Sequence, residues 1–264
     1  MQDLLNKFPQ KGSDLIKYIL NDFAEKGVLF CNEHQLQFEL GVRLKEIFDK
    51  YKKNYSIKFE SVFLFNENNS PININNGLNL NENRKKRKFI DILIETENGE
   101  NNFGIELKYK ISNYPSGVFS FDYHIGNGGK KIVFPQGAYV NGCYGFLGDV
   151  SRLETLKRNK LINAGVAIII TNDKNYYCEH RAGSDAYTFS LYDGRKFSQN
   201  TVLSGQGNDR SNSISLTQNY TLKWNDYNLD IGKVQGVIID GNGQPMTKEL
   251  DKNIYKFKYL VLDI

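Results

Sequence analysis

Asp91, Glu106 and Lys108 are the residues of this chain whose types and spacing best suit joint chemistry. Two carboxylates a few ångströms apart repel each other unless a cation lies between them, and Mg²⁺ favours hard oxygen ligands. An ammonium beside such a pair can orient or deprotonate a water, or neutralise charge that gathers on a phosphate. The chemistry to expect is metal-assisted attack of water on a phosphodiester.

That chemistry requires the three side chains to share one face. Residues 88–94 place Ile90, Ile92 and Ile94 in alternation with Asp91 and Leu93, and residues 103–109 alternate Phe103, Ile105, Leu107 and Tyr109 with Gly104, Glu106 and Lys108. Each stretch has the period of two expected of a half-buried strand. The connection carries Asn98-Gly99, a dipeptide suited to a two-residue hairpin turn. A turn centred there sets Asp91 across from Glu106, whereas a loop centred one residue later sets it across from Lys108. Both keep the trio on one side, and only an odd shift of register separates it.

A helix is expected over residues 32–52, with Leu36, Leu40, Leu44 and Ile47 at helical spacing and Asn32 as N-cap. Glu33 falls on its apolar face and so turns inward, while Glu39 at the edge of the stripe and Glu60 on an expected strand over 55–65 are rival acids. Cations cluster at Arg84, Lys85, Lys86, Arg87 and Lys88, directly before the Asp91 strand, and again at Lys130 and Lys131 beside a glycine-rich loop. Near the hairpin ends, both groups suit phosphate contacts of the salt-dependent kind.

Asp91 on one strand followed by Glu106-Leu107-Lys108 on the next, the one Glu-x-Lys in the chain, resembles the PD-(D/E)xK nuclease superfamily, with Ile90 in place of the proline. The resemblance covers about residues 30–172 and implies a restriction-endonuclease-like core. It implies Mg²⁺, with Mn²⁺ able to substitute, held by Asp91, Glu106 and the carbonyl of Leu107. It further implies that Lys108 orients and activates water and that Glu33 completes the shell or binds a second ion. Gln136 and Arg152 lie where such nucleases approach the scissile phosphate, and Arg87, Lys130 and Lys131 would bind substrate. DNA is the implied partner, in restriction or antiviral defence, with a homodimer and a cognate methyltransferase as further expectations. A repair, branched-DNA or RNA nuclease with the same site is an alternative, as is a catalytically silent nucleic-acid-binding module.

The order helix, strand, strand, strand, helix, strand gives an α/β, more strictly α+β, mixed-sheet class. One domain over 1–264 is expected, with a β-rich extension over about 175–264. Residues 165–171 read as a covered central strand, and a helix is expected from 146 to 158 with Asp149 or Ser151 as its cap. Residues 66–83, rich in Asn, read as a loop, and residues 112–142 as an irregular insertion. Strands are expected at 187–192, 213–216, 220–224 and 257–264, with Tyr220, Trp224 and Tyr227 in a core rather than stacked on bases.

Among 264 residues, 40% are hydrophobic and 24% charged, with a formal net charge of +4, an ordinary globular composition compatible with a basic cleft. Cys31, Cys143 and Cys178, and likewise His34, His124 and His180, are too scattered for a disulfide framework, a zinc site or a His- or Cys-based nucleophile. No apolar run reaches the ~20 residues of a membrane span, and no signal peptide is evident, so a cytoplasmic location is expected.

Overall fold

The computed structural model describes residues 1–30, 32–65, 86–96, 99, 101–111, 118–122, 130–133, 138–205, 213–230, 237–239, 245–246 and 256–264. Three helices come first: α1 (Gln2–Lys7), α2 (Gly12–Glu25) and α3 (Glu33–Lys50). Asn32 caps α3, its side-chain oxygen accepting from the Gln35 N–H at 2.8 Å. There follow β1 (Tyr55–Phe65), β2 (Lys86–Thr96), β3 (Phe103–Lys110), α4 (Tyr139–Arg158) and β4 (Ala164–Thr171). Two later strands, β5 (Asn225–Tyr227) and β6 (Phe257–Asp263), complete a six-stranded mixed sheet of order β1-β2-β3-β4-β6-β5. Only β3 and β4 run parallel in it, the other neighbours being antiparallel. A parallel pair needs a crossover, and α4 lies within the one between β3 and β4.

The sheet is covered on both faces. On one side α1, α2 and α3 bury Leu5, Leu15, Ile16, Ile19, Leu36, Leu40 and Leu44 in one cluster with Ile92, Ile105, Leu107 and Ile168. On the other, α4 buries Phe146, Val150, Leu153 and Leu156 against Leu93, Ala167, Ile169 and Leu260. Each such aliphatic side chain contributes roughly 1.5–3 kcal/mol by leaving water. Every residue of β4 is buried, as its unbroken apolar run requires of a strand with helices on both sides. Asp263, at the end of β6, holds the first turn of α2 by accepting from the Ser13 N–H (3.0 Å) and hydroxyl (2.5 Å).

Three expectations need correction. The helix expected from 146 begins at Tyr139, so Asp149 lies in its middle rather than at its cap. Gly142, Gly145 and Gly148 had disguised its first half, because glycine disfavours helix. Gly142 is needed there, since a Cβ at that position would meet the Tyr176 hydroxyl at 2.0 Å. The strand expected at 187–192 is instead a short helix, Asp185–Thr188, followed by coil. Its carbonyls bond a side chain rather than a neighbouring strand, for the Arg195 guanidinium donates to those of Tyr187, Thr188 and Ser190. The insertion over 112–142 is not wholly irregular, because Val118–Asp122 pairs with Lys130–Val133 and with Val237–Ile239 in a separate small sheet. The Asn-rich stretch 66–83 lies outside the described residues.

Tyr220, Trp224 and Tyr227 are buried, and the two-stranded pair Thr201–Leu203 with Ile214–Leu216 packs against α4. Glu154 of α4 accepts from the Thr217 N–H, the Gln218 N–H and the Tyr220 hydroxyl at 2.8–3.0 Å. Among the described residues, no helix is long and apolar enough to cross a membrane.

Candidate functional site

Asp91 sits where the sheet comes apart. Between β1 and β2 the ladder pairs Phe59 with Ile92 and Ser61 with Ile90, but Glu60 and Asp91 between them are not paired, and Glu60 has φ 50°. Between β2 and β3 the ladder runs from Ile94↔Phe103 to Ile92↔Ile105 and ends there. Side chains replace the missing backbone bonds. Gln37 Nε2 donates to the Asp91 carbonyl at 2.5 Å and to Glu60 Oε1 at 2.9 Å, and Asp91 Oδ2 accepts from the Leu107 N–H at 2.6 Å. The break also interrupts the expected alternation: Ile92 and Ile94 pack on the α3 side, whereas Ile90 crosses to the α4 side with Leu93. The register of the surviving pairs sets Asp91 level with Glu106, the narrower of the two turn geometries. Gly99, with φ 63°, donates to the Thr96 carbonyl in that turn.

Glu106 and Lys108 project from β3 toward α4. Glu106, 1% exposed, is gripped by Arg152 through Nε to Oε1 (2.6 Å) and Nη2 to Oε2 (2.9 Å), the paired geometry that suits guanidinium to carboxylate. Arg152 Nη2 also contacts Asp149 Oδ1 one helical turn away. Lys108 Nζ lies 2.9 Å from Asp149 Oδ2 and 3.3 Å from Glu33 Oε1, and donates to the Leu107 carbonyl at 3.0 Å. The other oxygen of Glu33 accepts from the Tyr109 N–H at 3.2 Å, so the first turn of α3 is tied to the end of β3.

Asp91, Glu106, Lys108 and Glu33 therefore meet, with the Leu107 carbonyl among them. Asp149 and Gln37 had been missed, and Arg152 proves to be a member of the cluster. A signal for Asp149 and Arg152 existed, namely an acid and a base three apart beside the Val150–Leu153 stripe of α4. Of the rivals, Glu60 reaches the cluster through Gln37. Arg87 lines a cleft of about 510 Å³ together with Lys88, Tyr144, Ser151, Arg152 and Thr155. Gln136 lies outside the described residues, as do the side chains of Lys130 and Lys131, whose backbone is strand.

Acids outnumber bases in this network: Glu33, Asp91, Glu106 and Asp149 face Lys108 and Arg152, with Lys110 near enough to interact with Glu33 and Asp149. Burial pushes the Asp91 carboxyl up to about 6, against the Leu107 N–H and Lys108, while Asp149 and Glu33 reinforce the rise. Burial and the charge of Asp149 raise Glu106 well above the carboxylate range despite Arg152. Asp149 is raised by its own burial. Burial alone would lower Lys108, but Asp149, Glu33 and Asp91 outweigh it and hold the amine protonated beyond the ordinary lysine value. Such a lysine donates hydrogen bonds and offsets negative charge, and of the two roles open to it in the sequence, proton abstraction is the one this environment opposes.

The donor set fits a hard divalent cation in kind, since buried acids with raised proton affinity are short of positive charge. It is not laid out as a ready cage: among the described residues no group of three or more His, Cys, Asp or Glu side chains is disposed to hold an ion. Arg152 engages both oxygens of Glu106, and Lys108 lies between Glu33 and Asp149. No family model, curated protein or solved structure matches the chain.

Proposed function

We propose that this chain is a Mg²⁺-dependent endonuclease of the PD-(D/E)xK type that hydrolyses DNA phosphodiesters. The observation that carries the reading is the meeting of Asp91 with Glu106, Lys108 and Glu33 at a break in the sheet, where Asp91 accepts from the Leu107 N–H at 2.6 Å. A strand whose only task is structural gains nothing from losing its ladder on both sides at a half-buried acid. The element order and the parallel pairing of β3 with β4 also agree with the restriction-endonuclease-like arrangement.

Asp91, Glu106 and the Leu107 carbonyl would hold the ion, which when bound polarises the phosphate and stabilises the leaving oxygen. Lys108, kept protonated, donates to the incoming water and offsets the charge that develops on the phosphate. Glu33 and Asp149 fix the position of that amine from two sides. Arg87 and Lys88 line the adjacent cleft, where a nucleic-acid backbone has cations to meet.

A second reading has its own support in the Glu106–Arg152 pair: a silent binding module in which the cluster is a closed salt-bridge network. Incubation with supercoiled plasmid in Mg²⁺ or Mn²⁺ separates the two. Nicking or linearisation by the native chain, lost in Asp91→Ala with binding retained, supports the nuclease. Retention of DNA without cleavage in either metal supports the silent module. A parallel panel of duplex, branched, single-stranded DNA and RNA substrates tests the substrate class.

A further inference from the structure

We propose that Arg152 is a built-in counter-ion that competes with the divalent cation for Glu106, and that on displacement its guanidinium turns into the neighbouring cleft to take a substrate phosphate. The inference rests on the metal-dependent reading above and adds the regulation of that site. Arg152 engages both oxygens of Glu106 and neutralises the carboxylate, so an arriving ion has to compete with the guanidinium for it. The side chain of Arg152 is 29% exposed, against 2% for Glu106 and 7% for Asp149, so the guanidinium forms the boundary between the buried acids and solvent. That boundary is also the wall of the cleft shared with Arg87, Lys88, Ser151 and Thr155. Gly148, another residue of that wall, has nothing within 4 Å of where a Cβ would stand, which leaves space on the same side of α4.

Lys108 does not serve as the movable cation. It is held from opposite sides by Glu33 on α3 and Asp149 on α4, and it donates to the Leu107 carbonyl of its own strand. The acids that hold Arg152, Glu106 and Asp149, lie on its buried side, and its long stem can rotate without breaking α4. A guanidinium released from a carboxylate beside a basic cleft meets its next natural partner in a phosphate, which matches the same planar fork. The exchange leaves Glu106 paired throughout, since the divalent ion arrives as the guanidinium leaves.

The test is calorimetric titration of Mn²⁺ into the native chain, Arg152→Ala and Arg152→Lys, with no nucleic acid present. Loss of two charged hydrogen bonds to the competing group should tighten Mn²⁺ binding by about tenfold or more in Arg152→Ala, and by less in Arg152→Lys. Because Arg152→Ala leaves Glu106 unpaired and could unfold, the native chain is also followed by the ¹⁵N–¹H signal of the Arg152 Nε–H. That signal should shift with Mg²⁺ along the same saturation curve as metal binding. Unchanged or weaker Mn²⁺ binding in Arg152→Ala, or an Arg152 signal unmoved at saturating Mg²⁺, overturns the competition while leaving the metal site standing. Mn²⁺ binding by neither the native chain nor the variants removes the metal-dependent reading itself, and the inference with it.

Discussion

Replacing Asp91 with Asn should make the protein more stable at neutral pH while abolishing the proposed metal-dependent cleavage. The folded state raises this carboxyl from 3.8 to about 6. Between those values the folded protein holds a proton that the unfolded chain has released, so this group's contribution is present below pH 3.8 and is lost as pH rises through about 6. At ~1.4 kcal/mol per pH unit the cost approaches about 3 kcal/mol, reduced to roughly 1–2 kcal/mol by solvent screening of a side chain that is not wholly buried. Asn removes the charge and keeps an oxygen to accept from the Leu107 N–H, so the geometry at the sheet break survives. For a chain of this size the gain corresponds to a Tm higher by about 3–6 °C at pH 8. Scanning calorimetry of both proteins from pH 4 to 8 reads the difference, which should open through the acidic window and level off above it. Added Mg²⁺ should then raise the Tm of the native protein and not that of the variant. A variant less stable than the native protein at pH 8, or a difference independent of pH, refutes the reasoning.

Three further outcomes are expected. Lys108→Ala should lower cleavage by about 100-fold or more, and the native rate should show no falling limb between about pH 8 and 10 in a pH series, because the amine stays charged there. Glu154→Ala strands the Thr217 and Gln218 N–H groups and the Tyr220 hydroxyl, and should cost roughly 2–4 kcal/mol in urea unfolding. Gly104→Val puts its Cβ 2.5 Å from Ile90 Cδ1 and 3.0 Å from Leu153 Cδ2, and should lower stability by about 1–3 kcal/mol in the same assay.

Where local pattern and tertiary packing agree, the sequence was legible. The strand over Tyr55–Phe65 follows from its composition, α3 from its stripe and its Asn32 cap, and β4 from an apolar run with no polar face to expose. The meeting of Asp91, Glu106 and Lys108 followed from the parity of one hairpin, and Glu33 from its place on the α3 stripe. Asp149 was hidden because three glycines broke the helical pattern before it, and because its role depends on α4 crossing over β3, a contact between residues 41 apart that no local periodicity encodes. The sheet break at Asp91 was hidden for a similar reason. Alternation predicts an unbroken strand, and the break is made tolerable by Gln37, more than 50 residues upstream, together with the Leu107 N–H bonded to the Asp91 side chain. The strand misjudged at 187–192 has strand-like residues whose backbone is claimed by Arg195 instead.

Anomalous diffraction from crystals soaked in Mn²⁺ tests the central claim most directly. The account predicts a peak about 2.0–2.2 Å from oxygens of both Asp91 and Glu106, with the Arg152 guanidinium withdrawn from Glu106. A map with no peak at these carboxylates at saturating Mn²⁺, with Arg152 still clamped on Glu106, would contradict it.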